Sequence, residues 1–284
     1  MTYILLVVTA TFMTLQNILK QKFNARFSSG VYFFSTVTAL FAMVVFLVRN
    51  DNWNFSAELL IPSSLFAICY ATTTVGTVLA IKHGELTLTS LVVSYSLLIP
   101  TFYGIFALNE SISFTLIIGI ILLIVSLWLT NKQGKTGEQG FSWKWFFYVC
   151  LAFLGNGFCT VVQKWEQIEY GTEGENLFMI IALAIVGVVM LAVSCFSQER
   201  RQIGSILKRS WHLGVLCGLM NGAVNALVIY LNPRVTASVM FPFLSAASLV
   251  LIFPYSLLIC RQRFTVKQYL GFAVGIVSVI LLNI

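Results

Sequence analysis

Long apolar runs separated by short polar breaks set the pattern of this chain. They fall at roughly 2–19, 31–48, 59–81, 87–108, 114–130, 143–163, 177–196, 211–231, 235–259 and 266–284. About 20 apolar residues in a helix cross the hydrocarbon core of a bilayer. A membrane-barrel strand instead alternates apolar and polar positions over about ten residues, and these runs do not alternate. In lipid a spanning segment must satisfy its backbone hydrogen bonds internally, which a helix does. The pattern therefore predicts an all-α polytopic membrane protein of ten transmembrane helices.

The longest polar, glycine-containing break, Lys132 to Gly140, divides the runs into two sets of five. The expected organisation is a first five-helix repeat over 1–131, a polar linker over 132–142 and a second repeat over 143–284. Homologous halves with an odd number of spans enter the membrane in opposite senses, which makes an inverted repeat. Matches between the halves keep their order along the chain. Leu86-Thr87 pairs with Val235-Thr236, Thr72 with Asn221, and Gly76 with Asn225. Asn109-Glu110-Ser111-Ile112-Ser113 leads to Gly119 as Arg261-Gln262-Arg263-Phe264-Thr265 leads to Gly271, and Lys20 and Lys164 end the first and sixth spans.

Composition narrows the class. Residues are 58% hydrophobic and 10% charged, with a mean hydropathy of +0.91, against about 25% charged residues in ordinary soluble domains. The partner implied by this balance is the lipid bilayer. The net charge of +7 points to membrane orientation rather than nucleic acid, because the basic residues segregate. Fourteen fall in or beside alternate connections on one side, Lys20, Lys22 and Arg26 among them, and only Arg49, Lys164 and Arg234 fall on the other. Basic loops stay cytoplasmic, so both termini are expected outside. The first span lacks a basic leading region and a cleavage site, so it is expected to stay in the membrane. Six cysteines lie in or at the ends of apolar runs without metal-type spacing and read as small buried apolar residues.

Leu79-Ala80-Ile81-Lys82, Leu86-Thr87-Leu88-Thr89-Ser90, Pro100 and Asn109-Glu110-Ser111-Ile112-Ser113 with Gly119 resemble the third-to-fifth-helix signature of the drug/metabolite transporter superfamily, in its members built from two EamA-type repeats. Gln262 stands where that pattern has an acidic residue. The resemblance implies a central cavity between the halves, lined mainly by spans 1, 3, 4, 6, 8 and 9, with spans 5 and 10 structural.

Polar residues in a bilayer cost free energy unless they meet a partner or a wet cavity, so polar stripes at helical spacing mark a solute path. In span 1 Thr9, Met13, Gln16 and Lys20 share a face, as Asn156, Thr160 and Gln163 do in span 6. Span 8 brings Asn221 and Asn225 beside Gly214, Gly218 and Gly222; spans 3, 4 and 9 add Tyr70, Thr73, Tyr95 and Ser245. The candidate solute ligands are therefore Gln16, Tyr70, Thr73, Tyr95, Asn156, Thr160, Gln163, Asn221, Asn225 and Ser245. Some of these equally serve as interhelical glue.

Glu85, Glu110, Glu166 and Glu169 sit at predicted span ends, and no carboxylate falls mid-span. A carboxylate-dependent cation pump is disfavoured on that ground. An aromatic cage needs no carboxylate, and Tyr70, Tyr95, Tyr103, Phe158 and Trp165 are its candidates. The two histidines, His83 and His212, lie near span ends without catalytic partners, and no phosphate-binding glycine loop occurs. The expectation is a non-enzymatic transporter without cofactor or metal, acting as monomer or homodimer in a bacterial plasma membrane. It moves a small polar solute such as an amino acid or amine; a quaternary-amine carrier and a non-transporting partner subunit or receptor are the alternatives.

Overall fold

The computed structural model describes the chain except residues 1, 28, 52, 54, 55, 85–88, 90, 91, 94, 111, 112, 131–141, 172, 173, 259–264 and 282–284. The polar break, Leu86-Thr87, Ser111-Ile112, Arg261 to Phe264 and Cys260 lie outside the described residues. The rest is α-helical with a single 3-10 turn and no strand. The helices are α1 (Thr2–Arg26), α2 (Val31–Arg49), α3 (Leu60–His83), α4 (Leu98–Ala107), α5 (Phe114–Thr130) and α6 (Trp143–Tyr170). They continue as α7 (Glu175–Phe196), α8 (Arg200–Arg209), α9 (Trp211–Leu231), α10 (Ala237–Leu258) and α11 (Val266–Leu281).

Six helices, α1, α2, α3 with its leading turn, α6, α7 and α9, are long and apolar enough to cross a membrane. Further apolar helical stretches at Leu98–Ala107, Phe114–Ser126, Ala237–Ser248 and Tyr269–Ser278 are shorter over the described residues. Large apolar side chains cover the outer faces, with Phe196 93% and Val48 81% exposed. Soluble monomers rarely present such continuous apolar surface, and here it suits hydrocarbon.

Two helices outrun their apolar stretches. Past Leu19 and past Gln163 the sequence continues with good helix formers, and no glycine or proline intervenes before Gly30 and Gly171. Thus α1 runs to Arg26 and α6 to Tyr170. Lys20 and Lys22, expected in the first connection, belong to α1. Gly171, at φ +76°, ends α6 in a conformation that side chains disfavour. The connection expected between the seventh and eighth spans holds α8, a basic helix whose Ile206 is buried against Phe23.

The most extensive packing joins helices from opposite sides of the polar break. α3 lies on α6, α5 on α11, α2 on α7 and α9, α1 on α9 and α10, α3 on α7, and α4 on α6 and α10. At the α3–α6 crossing Gly76 has no room for a methyl group: a Cβ there would stand 2.9 Å from Ala152 N. Small-residue contacts of this kind let membrane helices approach closely. Two serines bond across the α5–α11 pair: Ser126 Oγ donates to Gly271 O at 2.7 Å and Ser278 Oγ to Gly119 O at 2.8 Å.

Two carboxylates cap helices of the other set. Glu110 accepts from Ala237 N and Ser238 N at 2.9 and 2.8 Å, and Glu199 from Val31 N and Tyr32 N at 3.1 and 3.0 Å. The first N–H groups of a helix lack intrahelical partners and carry the positive end of its dipole, so a carboxylate there is stabilised. The span-end position of Glu110 therefore has a structural reason.

Candidate functional site

A central cavity opens between α1, α3, the 93–97 segment, α6, α9 and α10. The space open to water centres is about 130 Å³. One water needs about 10–15 Å³ by that measure, so the cavity has room for several waters or one small metabolite.

Eight of the ten candidate ligands line it: Gln16, Tyr70, Thr73, Asn156, Thr160, Gln163, Asn221 and Asn225. Tyr95 and Ser245 do not. Val93 and Leu97 give the cavity one face of their segment, and successive helical residues turn by about 100°, which carries Tyr95 to the opposite side. On α10 Phe241, Leu244 and Ser248 line the space, and Ser245, one residue on from Leu244, is rotated into the packing, where its carbonyl accepts from Ser248 Oγ. Thr9, the first member of the α1 stripe, is fully buried and donates to Leu5 O. Of the five cage aromatics only Tyr70 lines the cavity; Phe158 is 49% exposed, and Trp165 packs edge-on against Tyr170.

An amide belt crosses the middle. Tyr70 Oη donates to Asn221 Oδ1 at 2.9 Å, and Asn221 Nδ2 donates to Gln16 Oε1 at 3.0 Å. Asn225 Nδ2 donates to Asn221 Oδ1 at 3.0 Å. On the 93–97 side Asn156 Nδ2 donates to Ser96 Oγ at 2.7 Å. The belt joins α1, α3 and α9 in a single network and leaves the amide nitrogen of Gln16 as a donor without a protein partner among the described residues.

The threonines offer the opposite polarity. Thr73 Oγ1 donates to Cys69 O, Thr74 Oγ1 to Tyr70 O, Thr77 Oγ1 to Thr73 O and Thr160 Oγ1 to Asn156 O. Each hydroxyl proton is spent on the preceding helical turn, so the oxygen is left to accept.

Charge enters the lining at one point. Lys20, half-buried on α1, is the single charged side chain among the described lining residues. The sequence reading puts Lys20 on the polar face of span 1 but not among the solute ligands, and it leaves out Asn17, Thr74, Thr77 and Ser248 as well. The signal was present, since Lys20 extends the Met13–Gln16 stripe by one turn. A charged side chain within a membrane-spanning helix is costly unless it meets a partner or a wet cavity, and Lys20 has neither a hydrogen bond nor an ion pair among the described residues. Lys164 on α6 is 8% exposed and donates to Asn232 O at 2.7 Å. Glu166, expected at a span end, is 1% exposed within α6, and its Oε1 has no hydrogen-bond partner among the described residues. Among the described residues no His, Cys, Asp and Glu group has the arrangement to hold a metal ion.

No family model and no curated protein matches the chain. Among solved structures 28 chains match. One, described only as "Crystal structure of protein", is 13% identical, covers 97% of this chain and 98% of its own length, and superposes with a TM-score of 0.67. At that identity the likeness shows the fold alone: the two chains share an overall helical fold.

Proposed function

We propose that this chain is a ten-span transporter, built from two inverted five-helix repeats, that moves a small polar metabolite such as an amino acid or related amine by alternating access. The observation that carries the reading is the polar cavity lined from both halves of the chain, with the neutral Gln16–Asn221–Tyr70 belt across it. Transporter sites of the inverted-repeat type lie at the repeat interface near mid-membrane.

The pairing of helices supports the repeat. Exchanging each span for its counterpart in the other half turns α1 on α9 into α6 on α3, α1 on α10 into α6 on α4, and α2 on α9 into α7 on α3, all of which occur. The Ser126–Gly271 and Ser278–Gly119 bonds are related by the same exchange. Reciprocity of this kind is the mark of a two-fold axis. The two halves rock about the belt, whose own hydrogen bonds are neutral. The membrane is a bacterial plasma membrane, with the basic loops cytoplasmic and both termini outside.

Counterflow in proteoliposomes tests the reading. Vesicles holding the purified protein are loaded with an unlabelled amino acid or amine and given external tracer. Tracer accumulation is expected for at least one compound and is lost in the Asn221→Ala, Asn225→Ala double variant, whose size-exclusion profile stays that of wild type. Absence of counterflow for every amino acid and amine overturns the proposal.

A further inference from the structure

We infer that Lys20 is the carboxylate-binding residue of the cavity, and that the substrate is a zwitterion carrying a carboxylate and an amine rather than an amine alone. The inference rests on the transporter reading of the cavity and sharpens it to a substrate class.

A lysine near a helix end has an ordinary alternative, which is to lay its stem along apolar surface and send the ammonium to the lipid headgroups. Lys20 does not fit that description. It stands six residues before the end of α1, it lines the central cavity and it is half-buried there. Lys22 and Arg26 continue the same helix toward its end.

Lys164 shows what a structural lysine does at this level. It too stands six residues before the end of its helix, and it donates to the carbonyl of Asn232 at the end of α9. The offset that pairs Thr72 with Asn221 pairs His83, the last residue of α3, with Asn232. Lys20 makes no hydrogen bond to His83 or to any other described residue. Of two equivalent lysines, one is satisfied by a helix terminus and the other is left in a cavity whose described lining contains no carboxylate. A buried charge calls for a partner, and the partner missing among the described residues is an anion.

The remaining lining sorts by polarity around that charge. Gln16, one helical turn from Lys20 and so about 6 Å along the axis, carries a free amide donor that a carboxylate oxygen accepts. The oxygens of Thr73, Thr74 and Thr77 have given their protons to backbone carbonyls and are left as acceptors, suited to the N–H groups of an ammonium. Tyr70 adds an aromatic ring to that helix. Donors on α1 and acceptors on α3, about one turn in extent, match a compact molecule with an anionic and a cationic end. A quaternary amine would bring a second positive charge to a cavity that already holds one.

The test is a thermal-shift titration of detergent-purified protein with the twenty common L-amino acids. Each that raises the unfolding temperature is compared with its carboxamide and its decarboxylated amine. A ligand that binds the folded state alone, at free concentration c, raises its apparent stability by RT ln(1 + c/Kd), so at equal concentration the tighter ligand gives the larger shift. The expected result is a response to one or more free amino acids, with the carboxamide and the amine about tenfold or more weaker. Lys20→Gln lowers the affinity for the responding amino acid by about the same factor, and Lys20→Arg restores most of it. The comparison of acid, amide and amine is made on wild-type protein, so it decides the matter even where Lys20→Gln fails to fold. Equal response to the carboxamide or amine, or an unchanged affinity in Lys20→Gln, overturns the carboxylate assignment and leaves the cavity reading standing. Silence of folded wild-type protein toward amino acids and amines overturns both.

Discussion

The hydroxyl of Tyr70 donates to Asn221 Oδ1 over 2.9 Å, joining α3 to α9 across the central cavity. Asn221 also serves Gln16 and Asn225, so three helical surfaces depend on one amide. Interhelical hydrogen bonds in membrane proteins contribute about 0.6 kcal/mol on average and about 1.7 at most. A double-mutant cycle with Tyr70→Phe and Asn221→Ala, read by unfolding of the detergent-solubilised protein, is expected to return a coupling in that range. Asn221→Ala alone is the more damaging change, because it strands the Tyr70 hydroxyl and Gln16 Oε1 together. A coupling of zero would mean that the belt bond contributes nothing to the fold.

The α3–α6 crossing tolerates no side chain at Gly76, where a Cβ would meet Ala152 N at 2.9 Å and Tyr148 O at 3.0 Å. Those atoms are backbone, so relief requires the helices to separate. Gly76→Ala is expected to destabilise by about 1–3 kcal/mol, the usual range for overpacking, and to weaken solute binding by widening the wall that holds Thr73 and Asn156. Gly204 on α8 has nothing within 4 Å of its Cβ position. Gly204→Ala should leave stability unchanged or raise it by up to about 1 kcal/mol through helix propensity. Thermal unfolding of the two variants side by side checks both.

The serine bonds of the α5–α11 pair make a quantitative test of the proposed two-fold relation. Ser126→Ala and Ser278→Ala each remove one bond to a glycine carbonyl of the facing helix. Gly119 and Ser126 are seven residues apart, about 10 Å along the axis, which separates the two bonds enough for independence. The expected outcome is two equal losses of about 0.6 kcal/mol that add in the double variant. Unequal or strongly non-additive losses would count against equivalent roles.

Orientation is open to direct labelling. In a Cys195→Ser background, Asp51→Cys places a thiol in the exposed α2–α3 connection and Gly204→Cys one on the open face of the basic helix. A membrane-impermeant maleimide added to intact cells should label position 51 and spare position 204 until the cells are permeabilised. The reverse pattern would place the basic loops outside, against the charge rule.

Helix positions and polar faces can be read from the chain because membrane helices obey one-dimensional rules. Continuous apolar runs mark the spans, since no other backbone conformation satisfies its own hydrogen bonds in lipid. The stripes Gln16–Lys20 and Asn156–Gln163 reach the cavity because a helix puts residues three and four apart on one face. The same periodicity does not tell which face of α10 turns inward, and it is Ser248 rather than the expected Ser245 that lines the cavity. Tyr95 went astray for the same reason, lying half a turn from the lining pair Val93 and Leu97.

What the sequence by itself determined, then, is the helical class, most of the helix boundaries and the polar character of α1, α3, α6 and α9. Each depends on local composition and a fixed period. Tertiary structure alone decided which helices meet and what each polar group is left to do. Lys20 and Lys164 are the same residue type, each six residues from the end of its helix, yet Lys164 has a carbonyl within 2.7 Å and Lys20 lines the central cavity without a hydrogen bond to any described residue. The difference lies in the placement of α9 against α6 and of α3 against α1, and contact between segments distant in sequence leaves no periodic trace along the chain.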